Sequence, residues 1–303
     1  MNIQKPFLKW VGGKSKLLEH ILSKLPKEIN NYHEIFLGGG SVLLAVLSLQ
    51  QQNTIIINGS IYAYDLNESL INSFNQIKKN PVKVINHLKN IVKVFKSIQI
   101  NTLNIRGAPS VTNENYNSTR EHYYYWIRDK FIKGRKNTII SAAYFIFLNK
   151  TGFRGMYREG SNGKFNIPYG YKDRDSMPGI LDEKTILNVS KLIQNVQFIC
   201  SNFSESLSLV EEGDFVYLDP PYAPEKKDGF VEYTKEGFSL EQHKSLFKKI
   251  REIKNYNFIM SNSNVKLVTD NFKDYTIEHI LARRAINSKN PAALAKEVVI
   301  YNE

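Results

Sequence analysis

The chain has one cysteine, Cys200, in 303 residues, which excludes an internal disulfide framework. Its six histidines (His20, His33, His87, His122, His243 and His279) show no metal-ligand spacing, so no metal cofactor is expected. No apolar run of about eighteen residues occurs, and Lys5, Lys9 and Lys14 interrupt the N-terminal stretch where a secretory signal needs an apolar core. These absences describe a soluble, intracellular protein of the cytoplasm or nucleoid, or of a host cell if the gene is viral, with no membrane partner. Acidic residues are also few: 29 Asp and Glu stand against 41 Lys and Arg. The resulting net charge of +12 favours polyanions such as nucleic acid, although many unrelated lysine-rich proteins share such a balance. The 42% hydrophobic content is adequate for one large α/β domain and a smaller insertion.

The most informative stretch is Phe215-Val216-Tyr217-Leu218-Asp219-Pro220-Pro221-Tyr222. Four apolar residues suit a buried parallel strand, and prolines cannot continue a central strand because they lack the donor its neighbour needs. The chain must leave the sheet at Asp219, and open α/β sheets bind ligands at that carboxyl end. There the Asp219 carboxylate and the Pro220 carbonyl can accept hydrogen bonds while Tyr222 offers a flat face. An exocyclic amine on a planar base has two N–H donors and a face to stack. An ordinary proline turn explains Asp-Pro-Pro equally well if it is taken alone.

A second pattern lies nearer the N-terminus. Tyr32 to Leu37 reads as a short strand, Gly38-Gly39-Gly40 as a turn and Ser41 to Leu49 as an apolar helix. The glycines permit backbone angles closed to other residues and let a ligand approach the main chain. A further strand is read from Ile55 to Tyr64, with the turn-like Asn58-Gly59-Ser60 within it, ending at Asp65, whose carboxylate could accept from ribose hydroxyls. The third glycine of a dinucleotide fingerprint is missing and no phosphate-loop lysine follows, so nicotinamide and ATP readings lose ground to a nucleoside cofactor without a pyrophosphate.

Five blocks in order complete the pattern: Phe7-Leu8-Lys9-Trp10-Val11-Gly12-Gly13-Lys14, Phe36-Leu37-Gly38-Gly39-Gly40-Ser41, Asp65-Leu66-Asn67, Leu148-Asn149-Lys150 through Gly170, and Asp219 to Tyr222. Together they resemble the Dam-like (class alpha) DNA adenine-N6 methyltransferases over nearly the whole chain. The resemblance implies a Rossmann-like α/β methyltransferase sheet with an antiparallel last strand, plus an inserted, mainly helical target-recognition subdomain. The catalytic domain would comprise residues 1–75 and 176–303, and the recognition subdomain residues 76–175. The implied activity is site-specific transfer of a methyl group from S-adenosylmethionine, without a metal, to N6 of adenine flipped from a short duplex sequence of GATC type. Its partner is double-stranded DNA, with a separately acting cognate restriction endonuclease as a further one.

By resemblance, Asp219, Pro220, Pro221 and Tyr222 form the catalytic tetrapeptide. Trp10, Lys14, Phe36, Gly38, Gly40, Asp65, Phe203 and Asp219 fall at cofactor positions, and Lys9, Phe153, Arg154, Met156 and Arg158 at target-recognition positions. Three departures stand out. Asn202 replaces an acid before Phe203, Ile35 stands where relatives have proline, and Arg154 stands where relatives that read GATC carry asparagine.

The residues themselves support the division of labour. Apolar spacing from about 76 to 175 is mostly helical, as in Ile139 to Leu148, with a polar break near Arg106 to Asn117. From Lys150 to Lys172, basic residues and aromatics interleave with Glu159 as the one acid, a composition suited to phosphates, guanine edges and the gap left by an extruded base. A solvated charged loop reads the same way residue by residue. Beyond the catalytic turn, Phe238 to Ile253 reads as an amphipathic helix and Phe258 to Asn262 as a buried strand. Ile277 to Ala282 and Glu297 to Tyr301 read as a closing hairpin whose basic loop (Arg283, Arg284, Lys289, Lys296) is a second phosphate candidate. Other readings of the same residues are a cytosine-N4, RNA or protein-amide methyltransferase, a catalytically silent DNA-binding module, and a nicotinamide oxidoreductase.

Overall fold

The computed structural model describes residues 2–14, 17–98, 108–160, 162–170, 179–224, 238–283 and 294–302. Arg284, Lys289 and Lys172 lie outside the described residues, as does Arg106 at the start of the polar break. Helices among the described residues are α1 (Leu18–Ser23), α2 (Ser41–Gln51), α3 (Glu68–Lys79), α4 (Pro81–Ser97), α5 (Arg120–Lys133), α6 (Ile139–Thr151), α7 (Glu183–Leu192), α8 (Phe203–Leu207), α9 (Leu240–Glu252) and α10 (Lys266–Thr269). Strands are β1 (Glu28–Ile29), β2 (Tyr32–Glu34), β3 (Ile56–Ile57), β4 (Ile61–Asp65), β5 (Val196–Cys200), β6 (Phe215–Leu218), β7 (Asn257–Ser263), β8 (Thr276–Arg283) and β9 (Leu294–Tyr301). The chain divides into two compact units, one of Met1–Ile3, Gly12–Leu66 and Asn195–Glu303, the other of Gln4–Val11 and Asn67–Gln194.

The first unit is built on a seven-stranded sheet in the order β5-β4-β2-β6-β7-β9-β8. Strands β5, β4, β2, β6 and β7 are mutually parallel, while β9 runs antiparallel between β7 and β8. This is the Rossmann-like methyltransferase arrangement with its antiparallel last strand. All four residues of β6 are buried, as a central parallel strand requires. Chain order reverses between β2 and β6, so the segments leaving their carboxyl ends, Ile35 to Gly40 and Asp219 to Tyr222, open at the topological switch point.

Two strand readings are corrected. The expected strand from Ile55 to Tyr64 splits into β3 and β4 at Asn58-Gly59-Ser60, where Asn31 Oδ1 accepts Ser60 N–H at 2.8 Å and lies too close over Gly59 to admit a side chain there. The expected strand from Tyr32 to Leu37 stops at Glu34, although Ile35 N still donates to Tyr217 O and Leu37 N to Tyr64 O before Gly38 turns the chain at φ 51°. Of the expected basic loop, Arg283 and Lys296 are strand residues of β8 and β9.

The second unit is helical. Asn67, Thr119, Thr138 and Asp182 cap α3, α5, α6 and α7 by accepting backbone N–H groups of the first turn, and Pro81 opens α4, where its missing donor costs nothing. Helix α6 is apolar nearly all round and correspondingly buried.

A buried acid lies inside the sheet. Glu34 is 1% exposed, accepts the Tyr32 hydroxyl at 2.8 Å, and is pushed up to about 8 by burial, with the charge of Asp219 adding to the rise. A carboxyl whose folded-state value lies above its unfolded one stabilises fully below the unfolded value and loses that contribution as pH rises through the folded one. Stability should therefore decline between about pH 4.5 and 8. Glu34→Gln is expected to flatten that decline, measured as denaturant midpoints across the range; an unchanged slope would show that Glu34 does not cause it.

Candidate active site

Glycine, aromatic and acid come together first around the carboxyl ends of β2 and β4. Gly38 and Gly40 have φ of 51° and 71°, the left-handed region open to glycine at little cost, and Gly40 is the N-terminal cap of α2. Asp65, at the end of β4, receives Gly38 N–H on Oδ2 at 2.9 Å, so its carboxylate braces the glycine turn. Phe36 stacks with Phe203 at 6.2 Å between ring centroids, and Phe238 packs on both at 5.9 and 5.4 Å, giving a half-buried apolar wall. Asn202, the departure from an acid, caps the short helix α8 by accepting Ser204 N and Glu205 N.

The second cluster forms where β6 ends. Asp219 Oδ2 pairs with Lys14 Nζ at 2.7 Å, the lysine being 6% and the acid 21% exposed, and Lys14 also donates to Gly12 O at 2.9 Å. Ser261 Oγ donates to Asp219 Oδ1 at 2.8 Å and contacts the buried Tyr217 hydroxyl at 3.1 Å. The Lys14 ammonium also lies 4.7 Å from the centre of the Tyr222 ring, within cation–π range. The Tyr222 hydroxyl donates to Glu297 Oε2 at 3.0 Å, and burial, reinforced by the charges of Asp219 and Glu297, pushes its phenol well up, so it stays protonated. Pro220 is buried and Pro221 exposed, and just beyond them Ala223 is clasped by Asn262, which accepts its N–H at 3.0 Å, and by the Ser263 hydroxyl, which donates to its carbonyl. Strand β7 thus grips the turn at three successive residues.

In the helical unit, two of the positions expected to read the target, Phe153 and Arg154, lie on one turn. Phe153–Gly155 is a single 3-10 turn in which Arg154 takes φ 57° and stacks its guanidinium 5.1 Å from the Phe153 ring centre, both side chains being exposed. Phe153 N donates to Pro168 O and Gly170 N to Thr151 O, which fastens the turn to the strand-like segment behind it. Arg158 is held by Asn166 Oδ1 at 2.9 Å, Met156 is half-buried, and Lys9 packs against Gly155. Trp10 belongs to this unit, where it stacks with Tyr157 and tilts against Phe145, each at 6.4 Å.

Sequence reading gave no role to Ser261 or Glu297, and it named Asn149 only as part of a motif block. For Ser261 a signal existed: Ser261, Asn262 and Ser263 are three polar residues ending an apolar strand, and all three are fully buried, which demands partners.

A glycine turn braced by one carboxylate, and a second carboxylate beside an aromatic face, at the switch point of a seven-stranded sheet with an antiparallel last strand, form the arrangement expected of a methyltransferase that acts on an amino group. The chain matches the model of the D12 class N6 adenine-specific DNA methyltransferases over residues 10–286, and it belongs to that family. It is 35% identical to the type II methyltransferase M.MjaIII of Methanocaldococcus jannaschii, across 94% of this chain and 93% of that one. It is 31% identical to the type II methyltransferase M1.LlaDCHI of Lactococcus lactis subsp. cremoris, across 98% and 95%, and 27% identical to the DNA adenine methylase of Haemophilus influenzae, across 96% and 91%. The enzyme is accordingly a site-specific, adenine-N6 DNA methyltransferase, and its family implies S-adenosylmethionine as donor and DNA as substrate. Cytosine-N4, RNA, oxidoreductase and silent-module readings are set aside. No helix among the described residues is long and apolar enough to cross a membrane.

Gly155 gives a direct test of the recognition turn. Its φ is 67°, and a Cβ there would lie 2.6 Å from Lys9 Cβ. Gly155→Ala should destabilise the protein by about 1–3 kcal/mol, read as a lowered denaturant midpoint, because strain and overlap add; wild-type stability would refute this packing.

Proposed function

We propose that Asp219 and the Pro220 carbonyl accept the two N6 hydrogens of an adenine flipped out of duplex DNA, while Tyr222 stacks on its ring. The observation that carries this reading is the Asp219 carboxylate pairing with an ammonium at 2.7 Å, with the Tyr222 face 4.7 Å from the same nitrogen. A carboxylate and a ring that together accommodate a cationic nitrogen are suited to an amine acquiring positive charge as it is alkylated. Holding both hydrogens draws the N6 lone pair out of conjugation with the ring and aims it, which is positioning and polarisation rather than covalent catalysis. Ser261, by fixing Oδ1, sets the plane of the carboxylate, and Glu297 fixes the tyrosine ring through its hydroxyl.

The residues at the glycine turn fit the family's donor, S-adenosylmethionine. The wall of Phe36 and Phe203 suits a purine, Asp65 a ribose diol, Lys14 a carboxylate, and Gly38 and Gly40 expose main chain to close approach. Trp10 is a cofactor position by resemblance alone. When bound, that donor supplies a methyl group already activated on a sulfonium.

Lys9, Phe153, Arg154, Met156 and Arg158 contact the DNA in this reading. Phe153, 43% exposed at the tip of a tight turn, is shaped to fill the gap an extruded base leaves, and Arg154 carries the fork that pairs with guanine O6 and N7. The target is a short sequence of GATC type in which the step read by Arg154 differs from that of relatives with asparagine. Relatives named type II methyltransferases support a protective role beside a separately acting endonuclease, inside the cell.

Asp219→Ala is expected to lower methyl transfer by about a thousandfold or more, and to lower the denaturant midpoint because Lys14 loses its partner, while the folded variant keeps DNA affinity close to wild type. Nucleoside digestion of treated duplex, together with a binding titration, reads transfer and affinity. Wild-type yields of N6-methyladenine from this variant would overturn the mechanism.

A further inference from the structure

A buried amide joins two pieces of the recognition surface that are far apart in sequence. Asn149, in the last turn of α6, is 3% exposed, and its side chain accepts Lys9 N–H at 2.9 Å while donating to Lys9 O at 2.7 Å and to Gly155 O at 3.0 Å. Its two donors and its acceptor are all used. Bonding the N–H and the C=O of the same residue imitates one rung of a β-ladder, so the amide fixes both the position and the direction of the Lys9 backbone. The third bond fixes that backbone to the turn carrying Phe153 and Arg154. Gly155 closes the joint, since any side chain there would overlap Lys9. Behind the turn, Tyr124 OH donates to Ile167 O at 2.8 Å and Phe153 N to Pro168 O at 2.9 Å, so the support does not yield.

We infer that Asn149 is a positioning residue for target discrimination: it holds the Lys9 cation at a fixed offset from Phe153 and Arg154, so that all three meet the duplex in one register. This rests on the reading that those three side chains contact DNA. A buried amide that served stability alone would, when altered, lower the midpoint of unfolding without changing the ratio of rates on right and wrong sequences. A positioning amide changes that ratio, because misplaced contacts lose more on the cognate site than on others.

The test uses the full-length enzyme and a duplex carrying the sequence found methylated in cells that express it, beside duplexes with single base-pair changes. Asn149→Asp keeps the acceptor for Lys9 N–H but turns a carboxylate oxygen toward two carbonyls; Asn149→Ser serves if the first variant does not fold. Phe95→Leu, a core change in the same unit, controls for stability loss. At a temperature where all are folded, Asn149→Asp is expected to raise KM for cognate DNA more than it lowers kcat. It should also cut the cognate-to-altered ratio of kcat/KM by about tenfold, and combined with Lys9→Ala it should cost less than the two changes added. The control should leave the ratio unchanged. An Asn149 variant that is less stable yet keeps the wild-type ratio, or one strictly additive with Lys9→Ala, overturns the inference while leaving the DNA reading intact. If Lys9→Ala itself leaves KM for DNA unchanged, the DNA reading of Lys9 fails and takes the inference with it.

Discussion

The carboxylate of Asp219 is the point on which the sheet unit converges. It ends a fully buried strand, so its backbone cannot shift without disturbing the centre of the sheet, and each of its oxygens has a donor: Lys14 on one, Ser261 on the other. Those donors come from opposite directions in the chain, one following the N-terminal glycine pair and the other from β7. The antiparallel strand β9 adds a third brace, since Glu297 holds the hydroxyl of Tyr222. The closing strands of the sheet therefore do more than finish an edge, because three neighbouring strands, β6, β7 and β9, fix one carboxylate and one ring relative to each other.

Charge is divided around that point in a way that burial dictates. Glu34, one strand over, is pushed up to about 8 and stays largely protonated at neutral pH, and the nearby charge of Asp219 contributes to that. An ionised carboxyl with no access to water would destabilise the sheet, so burial holds Glu34 neutral, whereas Asp219, partly exposed, has Lys14 beside it. The same logic governs His33, which burial lowers despite the neighbouring Asp214 carboxylate. Their 3.1 Å contact is a hydrogen bond to a neutral imidazole rather than an ion pair.

Much of this was legible in the sequence wherever local chemistry left no choice. Prolines at 220 and 221 forced the strand to stop at Asp219, and the glycine turn before an apolar run forced a strand-turn-helix unit. Interrupted strands were less legible. The split between β3 and β4 was half legible, since Asn58-Gly59-Ser60 reads as a turn, while the Asn31 side chain that closes over Gly59 comes from 28 positions away and leaves no local sign. The supporting residues were hidden for the same reason. Ser261 lies 42 residues from Asp219, Glu297 lies 75 from Tyr222, and Asn149 lies 140 from Lys9. Each looks unremarkable in its own segment and acquires meaning only from its partner. Polar residues in a stretch that otherwise must be buried were the one available sign, and Ser261 to Ser263 carried it.

The backbone at Arg154 bears on how the recognition turn diverged. At φ 57° an arginine sits about 1 kcal/mol less comfortably than glycine, and less comfortably than asparagine, which visits the left-handed region readily. The close approaches at Gly152, Gly155 and Gly170 fix the path of the turn whatever side chain stands at 154, since a Cβ at any of the three would meet main chain or Lys9 within 2.8 Å. Asparagine, the residue the resemblance associates with GATC, adopts this conformation at less cost than arginine does. A strained residue persists where something other than folding retains it. Exposure and the stack on Phe153 put the Arg154 side chain on the outer side of the turn, so under the proposed reading a change at this one position alters what is read without altering how the turn is held.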